Sequence, residues 1–164
     1  MDMQEKIANK ITSNPEVFEN SFLMRFPTEK ELSKAKDLLG FDIPNEYVWF
    51  LKTYGHGGFF FEFLGYGING NAILVEKTLY ERKFGLPTEL LVIENCDEYV
   101  VCIDSSNGKV VSWSKYDKDG VIAVANDFYE YFMDSVENAI DIVNIGLHFI
   151  LKNVRPYAAS CSEA

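Results

Sequence analysis

The sequence has few basic residues. Only 15 Lys and Arg stand against 25 Asp and Glu, so the 164-residue chain carries a formal net charge of −10. A negative field of this size repels phosphate groups, which argues against binding nucleic acid through a basic groove. The same field attracts a basic protein partner, a class that includes many nucleases. The alternative is that the charge serves only to keep the protein in solution.

Cysteines and long apolar runs are also scarce. Cys96, Cys102 and Cys161 contain no CxxC pair, so neither a disulfide framework nor a zinc knuckle is predicted, and free thiols are expected. The N-terminus, MDMQEKIANK, lacks the apolar core of a signal peptide. The longest apolar stretch, AIDIVNIGLHFIL, is too short to cross a bilayer and is interrupted by polar residues. We therefore expect a cytoplasmic protein.

The first third of the sequence predicts three helices. One covers approximately residues 3–12. A second begins after Thr28, which has Glu31 in capping-box spacing, and ends at Gly40. A third starts at Pro44, and its apolar stripe consists of Tyr47, Phe50, Leu51 and Tyr54.

From Phe59 the pattern changes to that of β-structure. The run FFFEFLG predicts a strand, and a short helix follows at 75–85. Four further strands are predicted in ELLVIE, EYVVCID, KVVSWS and GVIAVA, with hairpin-sized connections that make them antiparallel neighbours. A long helix begins at about residue 126. The prediction is one α+β domain, 1–164, with N-terminal helices, an antiparallel meander of about five or six strands, and a long C-terminal helix packed on the sheet.

The sequence GYGING, residues 65–70, matches the glycine spacing of a dinucleotide-binding turn. That fold requires parallel strands with helical crossovers, whereas the strands after Glu94 have hairpin connections. We therefore interpret Gly65, Gly67 and Gly70 as a loop that needs positive φ angles, and we predict no cofactor. His56 is interpreted as a turn residue, and DKDG, residues 117–120, as a turn rather than a calcium loop. No catalytic set and no metal site is predicted.

The stretch FDIPNEYVWFLKTYGHGG resembles the signature of the SUKH superfamily, which includes a yeast cell-wall-synthesis regulator and many bacterial toxin-immunity proteins. The matching positions are Ile43, Pro44, Tyr47, Phe50, Leu51, Gly57 and Gly58. His56 stands where that family often has Asn. With LGYG, IENCDEYVVCID and GKVVSW, the resemblance extends over approximately residues 28–140 and leaves 141–164 as a C-terminal extension.

The resemblance implies an α+β fold without enzymatic activity or a cofactor. For a bacterial member it implies an immunity protein that binds and blocks a cognate polymorphic toxin, often a nuclease. The acidic composition independently favours a basic protein partner. A regulatory or scaffold interaction module is the alternative function, and an enzyme or small-molecule binder is the least favoured.

Exposed acids of the meander are the candidate contact residues for such a partner, although a solvated charged rim is the simpler interpretation. They are Glu94, Asp97, Glu98, Asp104, Asp117 and Asp119. Trp113 is either a fold determinant or a binding anchor. Pro44, Tyr47, Phe50, Leu51 and Gly58 are interpreted as fold determinants. In the C-terminal extension, an apolar patch either covers another edge of the domain or forms a homodimer contact; it comprises Ile145, Leu147, Phe149, Ile150 and Leu151.

Overall fold

The computed structural model describes residues 1–118 and 120–153 as six helices and six short strands. The helices are α1 (Met3–Thr12), α2 (Pro15–Phe18), α3 (Glu29–Leu39), α4 (Asn45–Thr53), α5 (Ile73–Arg82) and α6 (Phe128–Asn153). The strands are β1 (Phe22–Leu23), β2 (His56–Gly57), β3 (Leu90–Asn95), β4 (Val100–Asp104), β5 (Val110–Trp113) and β6 (Ile122–Ala125). Within these residues, no helix combines the length and the apolar character needed to cross a membrane.

The start and end of α3 follow the signals in the sequence. The Thr28 hydroxyl accepts a hydrogen bond from the Glu31 amide, and the Glu31 carboxylate accepts one from the Thr28 amide at 2.8 Å, which completes the predicted capping box. Gly40 ends the helix with a φ of 89°, a conformation that glycine adopts without steric cost. Pro44 then immediately precedes α4.

The main sheet is an antiparallel meander in the order β3-β4-β5-β6, and β1 pairs with β2 in a separate ribbon. The predicted α+β class, the antiparallel strands and the long helix on the sheet are therefore confirmed. The strand β4 lies between two neighbours and is buried almost throughout, as its apolar sequence predicts. Helix α5 packs beside β3, where the Val92 amide donates to the Thr78 hydroxyl at 3.0 Å.

An aromatic cluster joins α4 to α6 beneath the sheet. Phe50 makes edge-to-face contacts with Phe63, Phe128 and Phe132, with ring centroids 5.4 to 5.9 Å apart. At the start of α6, the Phe128 amide donates to the Glu46 carboxylate of α4 at 3.1 Å. Side chains of α4 thus accept a hydrogen bond from the first turn of α6 and pack against that turn.

The predicted strand in FFFEFLG is wrong, because this segment has an irregular backbone. Gly58 and Phe60 both have positive φ angles, which interrupt an extended conformation. The segment still runs beside the edge of the sheet: the Leu64 amide donates to the Ile93 carbonyl at 2.7 Å, and Phe63 pairs with Gly57. It therefore protects the outer edge of β3 without being a strand.

The prediction that all three glycines of the glycine loop need positive φ angles is also wrong. Gly70 has a φ of 83°, but Gly65 and Gly67 do not have positive φ angles. A Cβ on Gly65 would overlap the Gly55 carbonyl, and one on Gly67 would overlap the Asn71 side chain. Gly65 is required because the Gly55 backbone approaches closely, whereas Gly67 meets only a side chain that can move, and Gly70 is required by its backbone conformation.

Candidate functional site

Three of the predicted contact acids lie around one end of the meander. Asp97 and Glu98 form the exposed turn between β3 and β4, and Asp97 has a φ of 60°. The Glu98 carbonyl accepts a hydrogen bond from the Ser114 hydroxyl at 2.7 Å, which fixes this turn against the segment after β5. Asp117 follows in that segment and is also exposed. The fold thus brings together acids that lie up to 20 positions apart in the sequence.

Two adjoining cavities open between these acids. One, of about 210 Å³, lies between α5 and the end of β5, and the other, of about 400 Å³, extends toward β6. Glu98, Tyr99, Trp113 and Ser114 line both cavities. We call the surface formed by Asp97, Glu98, Tyr99, Trp113 and Asp117 the hairpin site.

Tyr99 is the residue of this site that the sequence analysis missed. It also lines a third cavity, of about 410 Å³, between the sheet and α6, so that it borders all three. Its side chain is 46% exposed although it is a large aromatic residue. Its position directly before a buried strand was visible in the sequence, but the cavities around it depend on the pairing of β5 and β6 and were not.

Trp113 lines the hairpin site and does not protrude from it. It is the last residue of β5, pairs with Val100 across the sheet and is only 8% exposed. A large indole in this position contributes to the core, and the part that remains accessible faces the two shared cavities. Its burial agrees with the interpretation of Trp113 as a fold determinant, and its role as a binding anchor stays a prediction.

The expectation that Glu94 lies exposed in a hairpin turn is wrong. It is a buried residue of β3, adjacent to a register shift in the β3–β4 ladder. The Tyr131 hydroxyl of α6 donates to its carboxylate at 2.6 Å, and the Glu62 amide donates to it at 3.3 Å. Burial raises the pKa of Glu94, and these two hydrogen bonds partly oppose the shift. This carboxylate connects α6 to the sheet.

Asp104 lies at the other end of the sheet, away from the hairpin site. It is the last residue of β4, and its carboxylate accepts hydrogen bonds from the Ser106 amide at 2.8 Å and from the Asn107 side chain at 3.0 Å. Because consecutive antiparallel strands place alternate turns at opposite ends, it cannot join Asp97 and Glu98. Its carboxylate stabilises the β4–β5 turn. Asp119 lies outside the described residues.

The signature residues have mainly structural surroundings. Tyr47, Phe50 and Leu51 are fully buried on α4, directly after Pro44. Gly57 and Gly58 have φ angles of 106° and 143°; a Cβ on Gly57 would lie 2.7 Å from the Ser21 carbonyl oxygen, and one on Gly58 would overlap the Phe61 ring. These positions shape the β1–β2 ribbon and the irregular segment that follows.

His56 has a more specific role than a turn residue. Its Nδ1 accepts a hydrogen bond from the Gly65 amide at 2.9 Å, so the proton of the neutral ring lies on Nε2, which faces Glu62 at 3.1 Å. One ring therefore contacts the middle of the irregular segment at Glu62 and the residue that follows it, Gly65. The sequence contained no signal for this pairing, because it depends on the fold of 58–64.

The ionisable groups near the site are held in their neutral or paired forms. Burial raises the pKa of the Cys96 and Cys102 thiols, so neither is an activated nucleophile. Burial and the Glu94 charge raise the pKa of Tyr131. Glu81 is buried and pairs with Lys77 at 2.6 Å. Over residues 1–118 and 120–153, no group of His, Cys, Asp and Glu is arranged to hold a metal ion.

These features define an α+β domain with carboxylates, hydroxyls and aromatic side chains at one end of its sheet. The SUKH_5 family model, described as SMI1-KNR4 cell-wall, matches residues 4–137, and the chain belongs to this family. The SUKH resemblance of the signature stretch is thereby confirmed, and the match begins 24 residues before Thr28.

The fold is also similar to a solved structure, the crystal structure of a protein from Pseudomonas syringae pv. tomato. The two chains are 22% identical and superpose with a TM-score of 0.53. The similarity covers 70% of this chain and 88% of the other.

Proposed function

We propose that this protein is an immunity protein that binds a cognate polymorphic toxin and blocks a basic, nucleic-acid-cleaving surface. The observation that carries the proposal is the hairpin site, in which Asp97, Glu98 and Asp117 surround cavities lined by Tyr99 and Trp113. The site occurs in a chain of net charge −10 that belongs to the SUKH_5 family.

Charge and shape support this function together. A nuclease must attract the phosphate backbone, so its cleft is basic and complementary to a cluster of carboxylates. Carboxylates on an exposed turn accelerate association by steering, while an aromatic side chain beside a cavity supplies the desolvated contact that slows dissociation. The two lysines bordering the site are already engaged: Lys77 pairs with Glu81, and Lys115 lies 4.5 Å from the Phe84 ring. Occlusion of the toxin requires no reaction by this chain.

The test is co-expression with the toxin domain encoded by the neighbouring gene. The wild-type chain should restore growth and co-purify with that domain. The test variant, Asp97→Asn/Glu98→Gln/Asp117→Asn, removes three negative charges from the hairpin site. Asn tolerates the positive φ of position 97, so the turn should be preserved.

The matched control, Glu16→Gln/Glu19→Gln/Asp37→Asn, removes three negative charges from exposed positions of α2, its C-cap and α3. None of these positions lines a cavity of the hairpin site. We expect the test variant to slow association roughly 3- to 10-fold at low salt, and the control to change it much less. Equal effects of the two variants would show that only net charge matters and would remove the assignment to this site.

The ionic strength and a substitution of Tyr99 provide two further tests of the same complex. Association of the wild type should slow as ionic strength rises, because exposed charges are screened beyond about 10 Å at 0.1 M. Tyr99→Ala should instead increase the dissociation rate while leaving the salt dependence unchanged. Failure of the wild-type chain to bind or rescue against any neighbouring toxin would reject the immunity function.

A regulatory or scaffold interaction module is the second candidate. The observation that favours it is the family description itself, which refers to the cell wall and not to a toxin. This alternative predicts capture of an endogenous protein through the hairpin site in cells that contain no adjacent toxin gene. The same triple variant and control then identify the surface that is used.

A further inference from the structure

The β6 edge and the C-terminal half of α6 form a second surface, with a different composition from the hairpin site. In the described part of the chain, β6 pairs with β5 alone and is the outer strand of the sheet. Its side chains are exposed along most of its length. Val124 of β6 and Ile142 of α6 line the same cavity, which the exposed Asp134 also borders, so the strand and the start of this helical segment adjoin there.

Helix α6 is packed on the domain only in its first half. Phe128, Phe132, Val136, Ala139 and Ile140 are buried, whereas most of the apolar residues after Asp141 are exposed. The exposed apolar residues of the combined surface are Val121, Ile122, Val124, Ile142, Ile145, Leu147, Phe149, Ile150 and Leu151. They do not form one flat face, because Ile145 and Leu147 lie about 160° apart around the axis of α6. Apolar exposure of this extent on a folded protein indicates an interaction surface.

The surface lacks the charge that a basic partner would need. Residues 120–125 and 142–151 contain no Asp, Glu, Lys or Arg, in a chain whose net charge is −10. Two copies of such a chain repel each other, and the repulsion is weakest where each presents an uncharged face. Charge therefore favours a second copy over the basic partner of the hairpin site.

The available area is also appropriate for self-association. At approximately half exposure, eight aliphatic side chains offer on the order of 600 Å². A stable interface buries about 800 Å² on each partner, and the unpaired edge of β6 and neighbouring polar atoms contribute the remainder. A Cβ at Gly146, in the middle of this helical segment, would meet no atom within 4 Å, so packing within the chain does not require a glycine there.

We propose that two copies of this chain associate through the uncharged surface formed by β6 and residues 142–151 of α6. Edge-to-edge pairing of β6 with its symmetry mate joins the two sheets, and the exposed half of α6 covers the junction. The two-fold arrangement satisfies both β6 edges at once, as an isologous interface requires. The proposal uses none of the acids of the hairpin site, although Ile122 lines one of the cavities of that site.

Sedimentation of the full chain over roughly 1–200 µM tests the proposal, and the expected result is a reversible monomer–dimer equilibrium. Raising NaCl from about 0.05 to 0.5 M should strengthen the dimer, since salt screens the repulsion between like-charged copies. Hydrogen exchange at the amides of 121–125 should slow as concentration rises. The toxin complex has the opposite salt dependence, so failure of either proposal is recognised separately.

Two interface variants and a control locate the contact. Ile145→Glu and Val121→Glu should each raise the dimer Kd at least about tenfold, with unchanged circular dichroism, because both side chains are exposed in the monomer and neither lines a cavity of the hairpin site. Ile68→Glu, at a position 79% exposed in the glycine loop, introduces the same charge and should leave the Kd within about threefold.

Three outcomes overturn the proposal. The first is a chain that stays monomeric at all concentrations, and the second is a dimer that forms equally well in both interface variants. The third is a chain truncated after Asn153 that dimerises while the full chain does not. The last result would assign residues 154–164 as the occupant of this surface. Saturable binding of a different protein to a monomeric chain, abolished by Ile145→Glu, would instead assign the surface to that protein.

Discussion

Replacing Tyr47 with Phe tests how a signature residue joins α4 to the edge of the sheet. The Tyr47 side chain is fully buried, and its hydroxyl donates to the Leu64 carbonyl at 2.6 Å. Leu64 in turn donates its amide to the Ile93 carbonyl of β3 at 2.7 Å. One phenol oxygen therefore connects α4, the irregular segment and the edge of the sheet.

The variant leaves the ring packing intact but deprives a buried carbonyl of its donor. Loss of one buried partner costs about 1–3 kcal/mol, more than the 0.5–1.5 kcal/mol that an average hydrogen bond contributes, because the remaining carbonyl has no water to replace the hydroxyl. For a domain of this size, each kcal/mol corresponds to roughly 2–4 °C in Tm. We therefore expect Tyr47→Phe to lower both the urea midpoint and the Tm measurably.

Urea unfolding followed by tryptophan fluorescence provides the assay, and Tyr116→Phe provides the control, since Tyr116 is 74% exposed. The control should change the free energy of unfolding by less than about 0.5 kcal/mol. The m-value should remain the same for all three proteins, which shows that only stability has changed. A Tyr47→Phe protein as stable as the wild type would refute the role assigned to this hydroxyl.

Three further substitutions test separate parts of the fold. The hydrogen bond from Arg25 lowers the pKa of Glu31 from 4.5 to about 2. The ionised carboxylate therefore stabilises the fold fully above pH 4.5, and this stabilisation is lost as pH falls toward 2. The urea midpoints of wild type and Glu31→Gln should converge over that range. Burial raises the pKa of Glu94 above its ordinary value of 4.5, so ionisation of Glu94 lowers the stability of the fold as pH rises above 4.5. Glu94→Gln keeps an acceptor for Tyr131 and does not ionise, so its stability relative to wild type should increase as pH rises above 4.5 in urea titrations. Gly58→Ala places a side chain at a φ of 143° against Phe61, and calorimetry should show that the free energy of unfolding falls by about 1–3 kcal/mol or more. Gly85→Ala, also at positive φ but with open space around it, should lower the free energy of unfolding less.

Local signals in the sequence predicted the helices and the meander well. The Thr28–Glu31 capping box, Gly40 and Pro44 each occupy the expected position, because caps and turns depend on residues within a few positions of each other. Hairpin-length connections predicted the antiparallel order of β3 to β6 for the same reason.

The errors arose where distant contacts decide the structure. The phenylalanine-rich run has high β-propensity, yet Gly58 and Phe60 turn it away from an extended path, and Phe63 enters the aromatic cluster of α4 and α6. Glu94 was assigned to the surface because acids are usually exposed, and its burial depends on Tyr131, 37 positions away. The importance of Tyr99 depends on cavities that form only when β5 and β6 pair.

The two proposed surfaces differ in how they relate to the part of the chain that defines the family. Every acid of the hairpin site lies within residues 4–137, whereas Ile142 to Leu151 follow the matched region. The two surfaces also meet along β6: Ile122 lines one cavity of the hairpin site, and Val124 lines a cavity together with Tyr99. The proposed dimer contact therefore lies at one edge of the sheet and uses none of the acids through which we propose that a basic partner is bound.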